Sequence, residues 1–370
     1  MSRLLILHCG HPKTGSSSLQ RFLAENSHGL GEKGILYPVL SQPAKIEPLP
    51  WAQFQHGKVF QELLSKDGPG RKSRSRELIS MLNRIEHEVL ILSGENLFRS
   101  LFYMRRTEIW QFFAKLNYKI VTVTYLRDQA ERLNSSYAQQ SKMGWPVGSF
   151  DSFVSEKISE DNDIFGGTSA AIDYTGLLSE KLNLWGEHVW RPFSTDVKKA
   201  GIENDFLSTI EPFCFAAGTE LPKQFVDFPR VNDADGTILV AITRALGEIV
   251  ARRFPALKPI HPDRKRVADQ AYRVANQVVS ELALSDPKYQ GLTADRRRLI
   301  ANRFNSGNDL VAEKFWGRPW VKLFPPPTDG SIACNDVCET EDPEIKEAFE
   351  RALPIAKARF LDILKHLEFK

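Results

Sequence analysis

Four short apolar runs punctuate the first half of the chain: "LLILH" at 4–8, "VLILS" at 89–93, "IVTVTYL" at 120–126 and "HVWRPF" at 188–193. Gly, Ser or Asp bounds them. The first three are nearly continuous rather than alternating, the pattern of strands buried on both faces of a parallel sheet. Between them the period changes. In "SSLQRFLAENSHG", Leu19, Phe22 and Leu23 share one helical face and Gly29 follows as a stop signal. "QAERLNSSYAQQSKMG" follows the third run in the same way. Strand–helix–strand alternation predicts an α/β domain, a parallel sheet flanked by helices.

Beyond about residue 195 strand patterns stop. The stretches 236–254, 294–316 and 343–367 read as amphipathic helices, while "RKSRSR" (71–76) and "FPPPTDG" (324–330) read as loops. The expected organisation is a core over residues 1–210 and a mainly helical part over 211–370, packed on it within one globular unit. No internal repeat or low-complexity tail is present.

Composition narrows the functional classes. A 370-residue chain with 42% hydrophobic and 26% charged residues can bury a substantial core. A net charge of +3 argues against nucleic acid as a partner, yet leaves room for a local basic pocket. Four cysteines form no disulfide framework and suggest a reducing compartment. Cys334 and Cys338 lack the second pair that a zinc site needs, so no metal is expected and an acidic surface loop is the reading there. No secretory pattern opens the chain and no run of ~18 apolar residues occurs, which predicts a cytoplasmic protein without a transmembrane segment. The oligomeric state is left open.

The chemistry concentrates in two loops. In "HCGHPKTGSSS", Gly15 permits a tight turn, and Ser16, Ser17 and Ser18 open a helix whose first N–H groups lack intrahelical partners. Those donors, the helix dipole and Lys13 form a natural anion site. Gly10 and Gly15 have the spacing of a nucleotide-binding P-loop, but serine rather than lysine follows the second glycine, which argues against an ordinary ATP or GTP site. The second loop follows the third run: Arg127 ends the strand, and Ser135 lies eight residues on, about two helical turns along. Two anion sites at the carboxyl ends of adjacent parallel strands suit a ligand with two separated phosphates.

Together "PKTGSSSLQ" and "YLRDQAERLNSSY" resemble the two cofactor motifs of sulfotransferases that use 3′-phosphoadenosine 5′-phosphosulfate (PAPS). The resemblance implies a P-loop-like sheet and a nucleotide co-substrate. It also implies that Lys13, Thr14, Gly15, Ser16, Ser17 and Ser18 take the 5′-phosphosulfate end, and Arg127 with Ser135 the 3′-phosphate. The family's proline two residues after the arginine is Gln129 here. "ILSGENLF" and "VWRPFSTDVKKAGIENDFL" look more weakly like segments of bacterial carbohydrate sulfotransferases, which implies a glycan or glycolipid acceptor. Lys13 would serve the leaving oxygen. Glu95, just past a buried strand's end, is the first candidate for the base, and His56 in "WAQFQHGKVF" is the rival. A P-loop kinase, or an inactive nucleotide-binding protein of the same fold, remains the alternative.

Overall fold

A computed structural model describes residues 2–10, 14–40, 56–63, 73–94, 97, 108–143, 148–159, 173–178, 186–226, 235–255, 262–327 and 333–366. Strand β1 (Arg3–Cys9) leads to helices α1 (Ser16–Glu25) and α2 (Ser27–Gly31), then to β2 (Ile35–Leu36). Helices α3 (Gly57–Leu63) and α4 (Ser73–Arg84) precede β3 (Val89–Gly94), and α5 (Glu108–Lys115) precedes β4 (Tyr118–Leu126). Next come α6 (Gln129–Lys142) and α7 (Phe150–Ile158), then β5 (Glu187–Pro192) with α8 (Thr195–Ala200) and α9 (Ile202–Ala216). The rest is helical: α10 (Thr237–Arg253), α11 (Pro262–Glu281), α12 (Ala294–Trp316), α13 (Trp320–Leu323) and α14 (Pro343–Lys365).

The strands form a parallel sheet in the order β2-β3-β1-β4-β5. Chain direction makes this order informative. From β1 the chain moves outward to β2 on one side, whereas from β4 it moves to β5 on the other. Adjacent strands whose connections diverge leave a crevice above their carboxyl ends, where ligands of open α/β sheets bind. Cys9 stands opposite Gly94, and His8 opposite Val123, so the loops after β1, β3 and β4 leave the same edge.

The apolar runs are continuous because both sheet faces are covered. Leu4 and Ile6 of β1, Val89 and Ile91 of β3, and Val121, Val123 and Tyr125 of β4 pack with Leu19, Phe22 and Leu23 of α1 and with Phe206 and Ile210 of α9. The alternate residues Leu5, Leu7, Leu90 and Leu92 pack with Val59 and Phe60 of α3, Leu78 of α4 and Trp110 and Phe113 of α5. Val311, Ala312 and Trp320 join this second cluster.

Two compact units result, interleaved along the chain. One comprises residues 1–128, 163–232 and 305–325, and the other 129–162, 233–304 and 326–370. In the second unit Ile242 and Leu246 of α10, Ala271 and Val278 of α11, and Ala352, Ala356 and Phe360 of α14 form a separate three-helix core.

One local reading is corrected. The "RKSRSR" stretch is not all loop: α4 begins at Ser73, Arg74 and Ser75 are buried, and Arg76 is exposed. Ser75 donates its N–H to the Glu62 carboxylate at 2.8 Å, so a buried acid outside α4 orders the start of a helix with a basic first turn. Phe324–Pro327 is irregular, and the rest of "FPPPTDG" lies outside the described residues.

Candidate functional site

At the end of β1, Gly10 donates its N–H to Gly94 O at 3.2 Å, which keeps the outgoing loop beside β3. Lys13 lies outside the described residues. Thr14 is fully buried. Gly15 caps α1 in the left-handed region, with φ 78°, where a β-carbon is strained, and one built there would touch Ile202 and Phe193 at 3.4–3.5 Å. The helix opens with Ser16, and Leu19 N–H reaches back to Gly15 O at 3.2 Å. No side chain caps this start and no acidic residue occupies its first turn. The Ser16 hydroxyl is buried with no hydrogen-bond partner among the described residues. A buried hydroxyl left unpaired is costly, and this one stands at the positive end of a helix dipole, so Ser16 and its neighbours Ser17 and Ser18 fit an anionic group.

At the end of β4, Arg127 and Asp128 are half-buried. The Arg127 carbonyl accepts the Tyr174 hydroxyl at 2.7 Å. Trp320 Nε1 approaches the Asp128 carboxylate at 3.4 Å, and the Trp320 ring packs on Tyr174, Trp316 and Phe324. Neither Tyr174 nor Trp320 was legible as a site residue. Trp320 follows Arg127 by almost two hundred positions, and its available signal was the aromatic density of "KFWGRPWVKLF" (314–324). Ser135 is the seventh residue of α6, half-buried, and falls in the other compact unit.

At the end of β3 stands His56, the second candidate for the base. His56 is fully buried immediately before α3. Its Nδ1 accepts the Ser93 N–H at 2.9 Å, which places its own proton on Nε2, donated to Pro38 O at 2.7 Å. Its backbone N–H reaches Ser93 O at 2.7 Å. Burial, with Arg74 adding to it, pushes its pKa down to about 4 against the opposing pull of these backbone hydrogen bonds. Neither nitrogen has a lone pair to spare, so this geometry leaves no opening for general-base work. Glu95, next after Gly94, lies outside the described residues.

The Ser93 side chain extends the cluster. Gln20 Nε2 of α1 donates to its oxygen at 3.0 Å, and His8 Nδ1 lies 2.7 Å from it. The Ser93 oxygen has two lone pairs and one proton, so either neutral tautomer of His8 satisfies this contact, and the remaining ring nitrogen is Nε2. That nitrogen is buried with no partner among the described residues. Burial lowers the His8 pKa to about 3.

Trp110 is buried in the core of the sheet unit. The loop of Cys334 and Cys338 is less of a surface feature than its acidity suggests. Asp336 is 2% exposed and paired with Arg244 at 3.2 Å, and Arg244 Nη2 also donates to Cys338 Sγ at 3.1 Å. No His/Cys/Asp/Glu group suited to a metal occurs among the described residues. None of the described helices is long and apolar enough to cross a membrane.

No protein-family model matches the chain, and no curated protein matches it. Among solved structures, a sulfotransferase from Alicyclobacillus acidocaldarius aligns over 74% of this chain and 100% of its own, with 14% identity and a TM-score of 0.37. That likeness is too distant to argue from.

Proposed function

We propose that the protein is a PAPS-dependent sulfotransferase that moves a sulfuryl group to a hydroxyl or amine of an acceptor of the carbohydrate class. One observation carries this reading. β1 and β4 are neighbours at the point where the chain's connections diverge, and the loops that follow them hold the Lys13–Ser18 and Arg127 motifs. Among the described residues α1 starts without a side-chain cap and the Ser16 hydroxyl has no partner, which supports the 5′-phosphosulfate end there. PAPS supplies a sulfur centre with a stable bisphosphate leaving group.

In this reading the acceptor oxygen or nitrogen attacks sulfur in line, and the bond from sulfur to the nucleotide's bridging oxygen breaks. The electron pair leaves with 3′-phosphoadenosine 5′-phosphate. Lys13 meets the charge growing on that oxygen, an interaction stronger in the transition state than in the ground state. Glu95 takes the acceptor's proton. Arg127 pairs with the 3′-phosphate, and Thr14, Gly15, Ser17 and Ser18 line the other end. His56 is not the base.

The test has two stages. The full chain is titrated with 3′-phosphoadenosine 5′-phosphate, ATP and GTP, and then given sulfur-labelled PAPS with a panel of glycans. Preference for the bisphosphate and label on a glycan support the proposal. Preference for ATP or GTP points to a P-loop kinase. Bisphosphate binding without transfer to any acceptor leaves a nucleotide-binding protein of this fold.

A further inference from the structure

The carboxyl end of β3 is held more firmly than a strand end requires. Ser93 and His56 exchange two hydrogen bonds, N–H to Nδ1 at 2.9 Å and carbonyl to backbone N–H at 2.7 Å. One residue on, the backbones nearly touch: a β-carbon on Gly94 would lie 3.3 Å from both Cα and N of Gly57. A β-carbon there would force the Gly57 backbone to give by a few tenths of an ångström, so the approach favours glycine. On the α1 side of the sheet, the Ser93 hydroxyl ties Gln20 to His8. Four buried polar residues thus join α1, β1, β3 and the segment before α3, each 3% exposed or less. An apolar set would fill this volume without the desolvation cost of polar groups.

Position explains the cluster. Gln20 sits one turn into the helix that opens at Gly15, and Ser93 comes two residues before Glu95. We infer that Ser93 and His56 are positioning residues that hold the end of β3 in fixed register with α1, so that the chain leaves β1 at Gly10 and β3 at Gly94 from a fixed spacing. This rests on the function proposed above. Reaction rates fall steeply when reacting groups are displaced by about 1 Å.

The experiment compares His56→Leu, His56→Asn and Ser93→Ala in the full chain, reading bisphosphate affinity, kcat and the pH profile of kcat. His56→Leu and Ser93→Ala are expected to lower kcat by ~10²-fold while affinity for 3′-phosphoadenosine 5′-phosphate stays within about threefold. His56→Asn keeps an acceptor where Nδ1 stood, so kcat should recover to within about tenfold of the parent. Its acid limb should keep the parent's midpoint. Loss of that limb in His56→Asn would make His56 the base and overturn the inference. So would unchanged kcat in both His56→Leu and Ser93→Ala, or an equal loss of affinity and kcat. Should Ser93→Ala not fold, Gln20→Leu removes one donor to the same hydroxyl and should cost about tenfold in kcat alone. If the parent protein transfers no label at all, the proposed function fails first, a result separate from any difference among variants.

Discussion

Two buried polar clusters, one in each compact unit, solve the same problem with opposite means. In the helical unit the cluster is ionic and closed. Arg244 of α10 pairs with Asp336 at 3.2 Å and donates to the Tyr137 hydroxyl of α6. Tyr289 donates to the same carboxylate at 2.9 Å, and Tyr137 to Gly148 O at 2.8 Å. Burial works against the Arg244 charge, and Asp336 and Tyr137 more than reverse it, so the guanidinium pKa ends above its ordinary value. In the sheet unit His8, Gln20, Ser93 and His56 are neutral, and both histidine pKa values are pushed down by burial. This cluster borders strand ends from which loops depart, and it retains an unpaired His8 nitrogen among the described residues. A closed ion pair holds helices together. A neutral chain of hydrogen bonds sets where loops begin.

The contrast breaks most sharply at Arg244. Arg244→Ala should destabilise the protein by about 3–5 kcal/mol, since it leaves the Asp336 carboxylate buried without its cation. Urea unfolding measures the loss, and nucleotide affinity of the folded fraction should stay near the parent's. A loss below ~1 kcal/mol would mean that the ion pair is solvated and the cluster is not closed.

Arg127 tests the contrast from the ligand's side, since the proposed function gives its charge to the 3′-phosphate. Arg127→Ala should weaken binding of 3′-phosphoadenosine 5′-phosphate by about 2–4 kcal/mol, the range for losing a charge-assisted contact. Adenosine 5′-phosphate, which lacks the 3′-phosphate, should lose far less. Equal losses for both nucleotides would remove Arg127 from the 3′ site.

Acid should distinguish the clusters without mutation. Burial holds the pKa of His56 at about 4 and that of His8 at about 3, below the ordinary imidazole value of 6.5. Below pH 6.5 the unfolded chain therefore binds more protons than the folded one, and stability falls as pH falls toward 4. Between pH 7.5 and pH 6 the two should together cost about 1.5 kcal/mol. Replacing both with aromatic residues should flatten that slope, whereas an unchanged slope would assign it to other groups.

The sheet was legible because burial on both faces turns a parallel strand into an unbroken apolar run, and the structure has strands at all four runs. β2, two residues long, carries too little pattern to be read. The Gly15 turn was legible because a left-handed residue at a helix start demands glycine. The burial of His56 and its backbone partners were not legible for a physical reason. A histidine with aromatic neighbours looks the same in sequence whether its nitrogens face substrate or backbone, and only the fold brings Ser93 and Pro38 to it. Tyr174 and Trp320 were missed for the same reason, since their partners in the β4 turn come from chain segments far away. Two interleaved units are likewise a long-range property, invisible to a local period.

Tyr174 gives the finest test. Its ring is buried, and its hydroxyl reaches the Arg127 carbonyl at 2.7 Å, so it holds the turn after β4 without offering the ligand a charge. Tyr174→Phe keeps the ring among Trp320 and its neighbours and deletes one hydrogen bond, a net loss of about 1 kcal/mol. If that bond aims Arg127, the loss should appear in the nucleotides' ratio of affinities. Preference for 3′-phosphoadenosine 5′-phosphate over adenosine 5′-phosphate should drop about fivefold, because 1.4 kcal/mol corresponds to tenfold. The urea midpoint should move little, since the carbonyl at the turn can turn to water. A shifted midpoint with an unchanged ratio would reduce Tyr174 to a core residue. The boundary between holding helices together and setting where loops begin would then lie closer to the strand end, at Arg127 itself.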